Sequence, residues 1–148
     1  MISPTGLGIR NDSEGFGHFG AKRGTKLHRG TDYLAIAGQD IVAPFDMVLS
    51  RYSNASDKFA RESGIKWQTP VGSGRMWYFT PKPDLIGTFV SKGTVIGTAL
   101  DLIPYYGPNI LSHIHFQINS FDPEFFRRLS EIMTDYKMFS EPNLSLKE

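Results

Sequence analysis

Ser112-His113-Ile114-His115 and His28-Arg29-Gly30-Thr31-Asp32 together contain three of the four histidines in the chain. Residues i and i+2 of a β-strand point to the same face, about 6.6 Å apart, so His113 and His115 can reach one site. His28 and Asp32 would lie roughly 13 Å apart on a straight strand, so we predict a bend at Gly30 that brings them together. A catalytic zinc usually takes three histidine or carboxylate ligands and leaves a fourth position for water. We interpret the two stretches as one zinc site.

The stretch that begins at His113 also predicts how the chain folds around it. Its polarity alternates, with His113, His115, Gln117 and Asn119 on one face and Ile114, Phe116 and Ile118 on the other. This alternation is typical of a strand that packs one face on a core. Six other runs rich in β-branched and aromatic residues precede it, at 31–37, 41–43, 47–52, 65–69, 75–80 and 94–100. With turns predicted at 38–40, 44–46 and 72–74, the pattern indicates a mostly β domain built from an antiparallel sheet over residues 31–120.

The segments around these runs are predicted to be less regular. Residues 1–30 contain seven glycines and favour an ordered loop that frames the site. Residues 53–64 form a polar insertion, either a loop or a short helix. Residues 102–111 contain prolines that disfavour a regular element. Tyr105 and Tyr106 in this last segment either form a wall of a substrate groove or pack on the domain's own surface.

A C-terminal α-helix is predicted at 122–138. Asp122 is a suitable cap, and Pro123 falls in the first turn, where its missing N–H costs little. An apolar stripe at helical spacing follows, formed by Phe125, Phe126, Leu129, Ile132, Met133 and Tyr136. We expect this stripe to pack against the sheet, residues 139–148 to form a loose tail, and residues 1–148 to make one domain.

Six segments, taken together and in this order, resemble the lysostaphin-like zinc peptidases, also called the LytM type, which cut peptide cross-links in bacterial cell walls. They are Phe19-Gly-Ala-Lys-Arg23, His28-Arg-Gly-Thr-Asp-Tyr33, Ala43-Pro-Phe-Asp46, Val90-Ser-Lys-Gly93, Val95-Ile-Gly97 and His113-Ile-His-Phe-Gln-Ile118. Each piece is weak alone, and the combination is specific. The resemblance implies the LytM-type antiparallel β fold and zinc-dependent hydrolysis of peptidoglycan.

Residue by residue, the resemblance makes His28, Asp32 and His115 the zinc ligands and His113 the catalytic base. The family usually has Tyr-x-His on a central strand, whereas this chain has Tyr78-Phe79-Thr80. A second catalytic histidine is therefore replaced by Thr80. If that histidine holds the water or stabilises the oxyanion, the role falls to Thr80, Tyr78 or His18, or to no residue of this chain. A lone histidine is more often structural, and we expect that of His18.

Composition restricts the partners. The net charge of +1 gives no reason to expect nucleic acid, although Arg10, Lys22, Arg23, Lys26 and Arg29 form an early basic excess that could attract an anionic cell wall or simply be a solvated face. There are no cysteines, so nitrogen and oxygen must hold any metal. No apolar run approaches the roughly 20 residues needed to span a bilayer. The first residues lack the features of a signal peptide, which fits a phage product released at lysis or present on a virion.

Three hypotheses follow. The first is an active zinc endopeptidase of peptidoglycan, which we favour. The second is a degenerate domain of the same fold that binds cell wall or a protein partner without cutting. The third is a carrier-like or structural β domain, because the glycine-turn patterns of residues 90–97 also occur in non-catalytic β folds. The third does not explain the histidines. Sequence leaves the cross-link and the oligomeric state open.

Overall fold

The computed structural model describes residues 1–12, 15–23 and 26–121 of the chain. Thirteen β-strands are present in these residues: β1 (Asn11–Asp12), β2 (Gly15–Phe16), β3 (Lys22–Arg23), β4 (Lys26–Leu27), β5 (Thr31–Leu34), β6 (Asp40–Val42), β7 (Met47–Tyr52), β8 (Gly64–Thr69), β9 (Gly72–Trp77), β10 (Phe79–Pro81), β11 (Phe89–Val90), β12 (Val95–Ala99) and β13 (His113–Phe121). The described residues also contain a 3-10 helix at Pro83–Leu85 and a four-residue α-helix, α1, at Ile103–Tyr106.

The strands form one large antiparallel sheet and three smaller ones. The large sheet has the order β11-β7-β8-β9-β13-β5, and a three-stranded sheet has the order β10-β12-β6. The pairs β1-β2 and β3-β4 make two small ribbons. The long strand β13 lies between β9 and β5, so the predicted mostly β, antiparallel fold class is confirmed.

The core lies against the apolar face of β13. Ile114 and Phe116 are fully buried there. Trp67 from β8 stacks on the ring of Phe116, with centroids 5.5 Å apart, and Phe45 meets Trp67 edge to face at 5.0 Å. Burial of a large apolar side chain contributes about 1.5–3 kcal/mol. This packing fixes one face of β13 and thereby presents His113 and His115 on the other.

The turn predicted at 72–74 is wrong. Thr69 pairs directly with Gly72, so the chain reverses at Pro70 and Val71, and residues 72–74 belong to β9. Gly74 is needed for packing and not for a turn. A Cβ at this position would lie 2.5 Å from Cζ2 of Trp67 and would also collide with the carbonyl oxygen of Gln117.

The run predicted as one strand at 75–80 divides at Tyr78. This residue adopts a left-handed backbone conformation with φ of 79°, which residues other than glycine rarely adopt. Residues up to Trp77 stay in the large sheet, whereas Phe79–Pro81 pair with β12 in the three-stranded sheet. The break separates Thr80 from the strand that neighbours the histidines.

The irregular segments differ in part from expectation. Residues 1–30 include the ribbons β1-β2 and β3-β4 as well as loops. Residues 53–63 contain no helix, which settles the choice left open for that insertion. Residues 102–111 were expected to lack regular structure, yet they contain α1, because Pro104 sits in its first turn, where a proline removes no helical hydrogen bond.

The remaining expectations concern the end of the chain. The helix predicted at 122–138 and the tail at 139–148 lie outside the described residues, and the single domain over 1–148 stays a prediction. Within the described ranges, no helix has the length and apolar character needed to cross a membrane.

Candidate metal centre and its cleft

The pairing of β5 with β13 brings the two histidine-bearing stretches together. Asp32 is the direct partner of His115 across these strands. His28 precedes β5, and the chain bends at Gly30 before Thr31 begins the strand. A Cβ on Gly30 would lie 2.7 Å from the His115 ring, so glycine is required for the histidine to fit. The structure thus brings His28, Asp32 and His115 to one place.

One atom from each of these three residues faces a common point. Nε2 of His28 lies 3.0 Å from Nδ1 of His115 and 3.2 Å from Oδ1 of Asp32. Nδ1 of His115 lies 2.9 Å from the same carboxylate oxygen. Neighbouring ligands about 2.0 Å from a tetrahedral ion lie about 3.3 Å apart, so the triangle is only slightly contracted. All three side chains are buried.

Hydrogen bonds on the side of each imidazole that faces away from the common point show which ring nitrogens carry no proton. Nδ1 of His28 donates to the carbonyl oxygen of His18 at 3.0 Å, and Nε2 of His115 donates to Oε1 of Gln117 at 2.9 Å. The nitrogens that face each other therefore carry lone pairs, and they meet a carboxylate. A cation among three acceptors so close and so buried would stabilise this arrangement. The group fits a metal site.

The charge state of Asp32 suits this role. Burial acts to raise its pKa, but the three imidazoles beside the carboxylate, those of His115, His28 and His113, outweigh burial. The pKa of the carboxyl is held well below its ordinary value. Asp32 is therefore an anion at neutral pH, as a metal ligand must be.

His113 lies beside the candidate metal site formed by His28, Asp32 and His115, and a contact outside that site orients its ring. Its Nδ1 donates to the carbonyl oxygen of Leu111 at 2.7 Å, which leaves Nε2 unprotonated and 3.7 Å from Oδ2 of Asp32. Burial lowers the pKa of His113, partly offset by Asp32. A neutral imidazole with a free nitrogen beside a metal site can accept a proton.

A cleft of about 310 Å³ is lined by His28, Asp32, His113 and His115. Its other walls are formed by Arg10, Trp77, Tyr78, Tyr106 and Ile110. The hydroxyls of Tyr78 and Tyr106 lie 2.9 Å apart, and burial raises the pKa of both, with the hydrogen bond to Tyr106 raising that of Tyr78 further. Both hydroxyls stay protonated at neutral pH and can donate hydrogen bonds.

Tyr105, Tyr106 and Thr80 differ in whether they line the cleft. Tyr106 lines the cleft, whereas Tyr105 stacks on Phe59 with centroids 4.4 Å apart. Thr80 is exposed, pairs with Thr98 on β12, and is not among the described residues that line the cleft. The left-handed turn at Tyr78 causes this, because it directs the following strand into the other sheet. The ring of His18 is exposed, and its carbonyl group reaches the site.

Sequence reasoning missed Arg10 and Trp77 as parts of the site. Arg10 was grouped with a basic excess, yet it is 4% exposed and bonded to Asp32. Trp77 stacks on the His115 ring at 4.8 Å and is its direct neighbour on β9. The strand register would have identified Trp77, once the turn at 70–71 was known. No sequence pattern distinguishes Arg10 from its basic neighbours.

Comparisons with known proteins identify a sequence relative. No family model matches the chain. The chain is 33% identical over 107 residues to leukocyte cell-derived chemotaxin-2 from Bos taurus, and the match covers 72% of this chain and 69% of the relative.

Solved structures provide fold relatives. The chain is similar to a mutant catalytic domain of the prophage-encoded M23 protein EnpA from Enterococcus faecalis, with a TM-score of 0.52, 15% identity, and coverage of 79% of this chain and 89% of that one. It is also similar to the deep-sea M23 metalloprotease pseudoalterin, with a TM-score of 0.49, 15% identity, and coverage of 78% and 70%. The likeness to EnpA shows a shared fold.

Proposed function

Because this chain belongs to the lysostaphin-like, LytM-type M23 metallopeptidase family, we propose that it is a zinc-dependent endopeptidase that hydrolyses peptide cross-links of bacterial peptidoglycan. One observation supports this most strongly. His28, Asp32 and His115 form a buried set of three facing acceptors at the wall of an open cleft, with His113 beside them. A purely structural β domain gives no account of such a group.

The proposed metal is zinc, held by His28, Asp32 and His115. Two nitrogens and one carboxylate oxygen are a common catalytic zinc set. Bound there, zinc lowers the pKa of a water toward about 7 and polarises the scissile carbonyl. His113 is the proposed base. Its free Nε2 accepts the proton of the attacking water, and the protonated ring then donates to the leaving amine.

We assign the donor role left by the absent second histidine to Tyr78, with Tyr106 as its support. Both residues line the cleft and their hydroxyls remain protonated, so Tyr78 can donate to a developing oxyanion while Tyr106 fixes its orientation. The ring of Tyr78 also packs edge-on against His113 at 5.1 Å. We propose no role for Thr80.

The substrate and the place of action follow from the same proposal. Cell-wall peptide is the substrate class that the family resemblance implies, and a phage origin agrees with the prophage-encoded EnpA among the fold relatives. The protein then acts at the bacterial wall, from a lysing cell or a virion.

Release of soluble fragments from purified peptidoglycan tests the function. The zinc-loaded protein should release free amino groups from walls of one cross-link chemistry, and a chelator should stop the release. Mass spectrometry of the fragments should show a cut peptide bond and intact glycan. Intact glycan and intact peptide after treatment of several wall types would contradict the proposal.

Tyr78→Phe should lower the turnover rate about 10²–10³-fold, because loss of one oxyanion donor costs that much, while zinc content stays unchanged. Thr80→Val is the matched control, since it also removes one hydroxyl and lies outside the cleft. Initial rates at equal zinc occupancy provide the measurement. A larger loss in Thr80→Val than in Tyr78→Phe would reverse the assignment.

A non-cutting domain that binds cell wall or a protein partner is the second candidate. Two observations favour it: the second histidine is replaced, and the sequence relative is named as a chemotaxin and not as a peptidase. Zinc binding and sedimentation with intact walls, or capture of a protein partner, without any release of fragments would support this candidate over the first.

A further inference from the structure

The side chain of Arg10 contacts two carboxylates, that of Asp32 in the candidate metal site and that of Asp12. Its Nε donates to Oδ2 of Asp32 at 3.2 Å, and its Nη1 donates to both carboxylate oxygens of Asp12, at 2.8 and 2.9 Å. The side chains of Arg10 and Asp12 are each only 5% exposed. A buried arginine between two carboxylates is a directional contact, because the planar guanidinium fixes the orientation of both partners.

Asp12 extends this network to the segment before His113. Its Oδ2 accepts a hydrogen bond from the backbone N–H of Leu111 at 2.9 Å. The carbonyl group of the same Leu111 accepts the Nδ1–H of His113. The carboxylate of the metal group and the histidine beside it are therefore linked through Arg10, Asp12 and Leu111.

The backbone holds Arg10 close to Asp32 independently of its side chain. The N–H of Arg10 donates to the carbonyl oxygen of Asp32 at 2.7 Å, and the N–H of Asp32 donates to the carbonyl oxygen of Gly17 at 2.7 Å. A Cβ on Gly17 would lie 2.9 Å from the Cβ atoms of both Arg10 and Asp32. The glycine permits this close approach, so the three segments meet in one arrangement.

We propose that Arg10, held by Asp12, is a positioning residue that fixes Asp32 with Oδ1 toward the two histidines and Oδ2 withheld from the metal. It thereby makes Asp32 a one-oxygen ligand and leaves the remaining coordination position for water. This inference rests on the proposed metal site and adds the determinant of its coordination number.

The charge of Arg10 and its role in orienting Asp32 predict opposite effects on zinc affinity when Arg10 is removed. The guanidinium is a cation close to the metal ligand, so on charge alone its loss would tighten zinc binding. Loss of a ligand's hydrogen-bonding partner instead weakens metal binding about 10–100-fold, because the ligand is no longer held in place. The buried position and the two-carboxylate contact favour orientation as the larger effect.

The test uses Arg10→Lys, Arg10→Met and Asp12→Asn, with Arg61→Met as the control. Lysine keeps the charge but has a single ammonium that cannot reproduce the fork to both carboxylates. Arg61 is paired with Glu62 on an exposed surface, with its side chain 75% exposed. Zinc affinity is measured by chelator competition, the visible spectrum is recorded with Co²⁺ in place of zinc, and thermal unfolding of the metal-free protein reports folding.

We expect Arg10→Lys and Asp12→Asn to bind zinc about 10–100-fold more weakly. Their Co²⁺ spectra should lose intensity as Asp32 becomes a two-oxygen ligand and the ion leaves tetrahedral geometry, with Arg61→Met unchanged. Unaltered affinity and spectrum in Arg10→Lys and Asp12→Asn, or tighter binding, would overturn the inference even if Arg10→Met fails to fold. Absence of zinc binding in the unmodified protein would overturn the proposed function itself.

Discussion

Asp32→Ala should abolish stoichiometric zinc binding. The substitution removes one of the three proposed ligands and the only anion among them. It should therefore weaken binding by more than the roughly 10–100-fold that follows loss of a ligand's hydrogen-bonding partner. His115→Ala should behave in the same way, because its Nδ1 contacts both of the other ligand atoms. Metal content after dialysis, measured by mass spectrometry, gives the result.

Asp57→Ala is the control for this experiment, since Asp57 is an exposed aspartate in the insertion between β7 and β8. It should keep one zinc per chain. Thermal unfolding of all variants without metal separates loss of a ligand from loss of the fold. Stoichiometric zinc in both Asp32→Ala and His115→Ala would refute the ligand set.

His113→Ala should keep zinc and lose turnover by about 10²–10⁴-fold, the usual contribution of a positioned general base. The structure supports this separation of roles. Nε2 of His113 is 3.7 Å from the second oxygen of Asp32, and the Leu111 carbonyl group, not a member of the metal group, orients its ring. The rate of fragment release at equal zinc occupancy measures the effect.

His115→Ala is the informative comparison for His113→Ala, because the two residues share one strand face. The first should lose metal and activity together, and the second should lose activity alone. Equal loss of metal in both variants would mean that the histidines share ligation, and an undiminished rate in His113→Ala would remove it from the mechanism.

Much of the fold was predictable because local pattern and tertiary packing agree. The alternation on β13 placed both histidines opposite a buried face, and the run predicted at 47–52 has the same bounds as β7. His28, Asp32 and His115 lie together because Gly30 provides a bend that a strand lacks. In each case the same residues that set the backbone also determine the burial.

The differences between expectation and structure have a common physical origin in long-range packing. Gly74 was interpreted as a turn residue because its contact with Trp67 is not visible in sequence. Thr80 was expected beside the histidines and lies outside the cleft, because no rule predicts a left-handed tyrosine at position 78. The contact of Arg10 with Asp32 was not predicted, since the two residues are 22 positions apart. All three depend on contacts that form only when distant segments meet.

The place of β5 at the edge of the large sheet also affects how the protein is made. β5 joins that sheet by pairing with β13, and Asp32 and His115 are 83 positions apart. At a synthesis rate of about 5–20 residues per second, roughly 4–17 s pass between the addition of these two residues. Closing so long a loop costs chain entropy, which favours late pairing of these strands. A nascent chain that has not reached His115 therefore has two of the proposed ligands without the third, and the proposed metal site can form only once translation has supplied the strand that completes it.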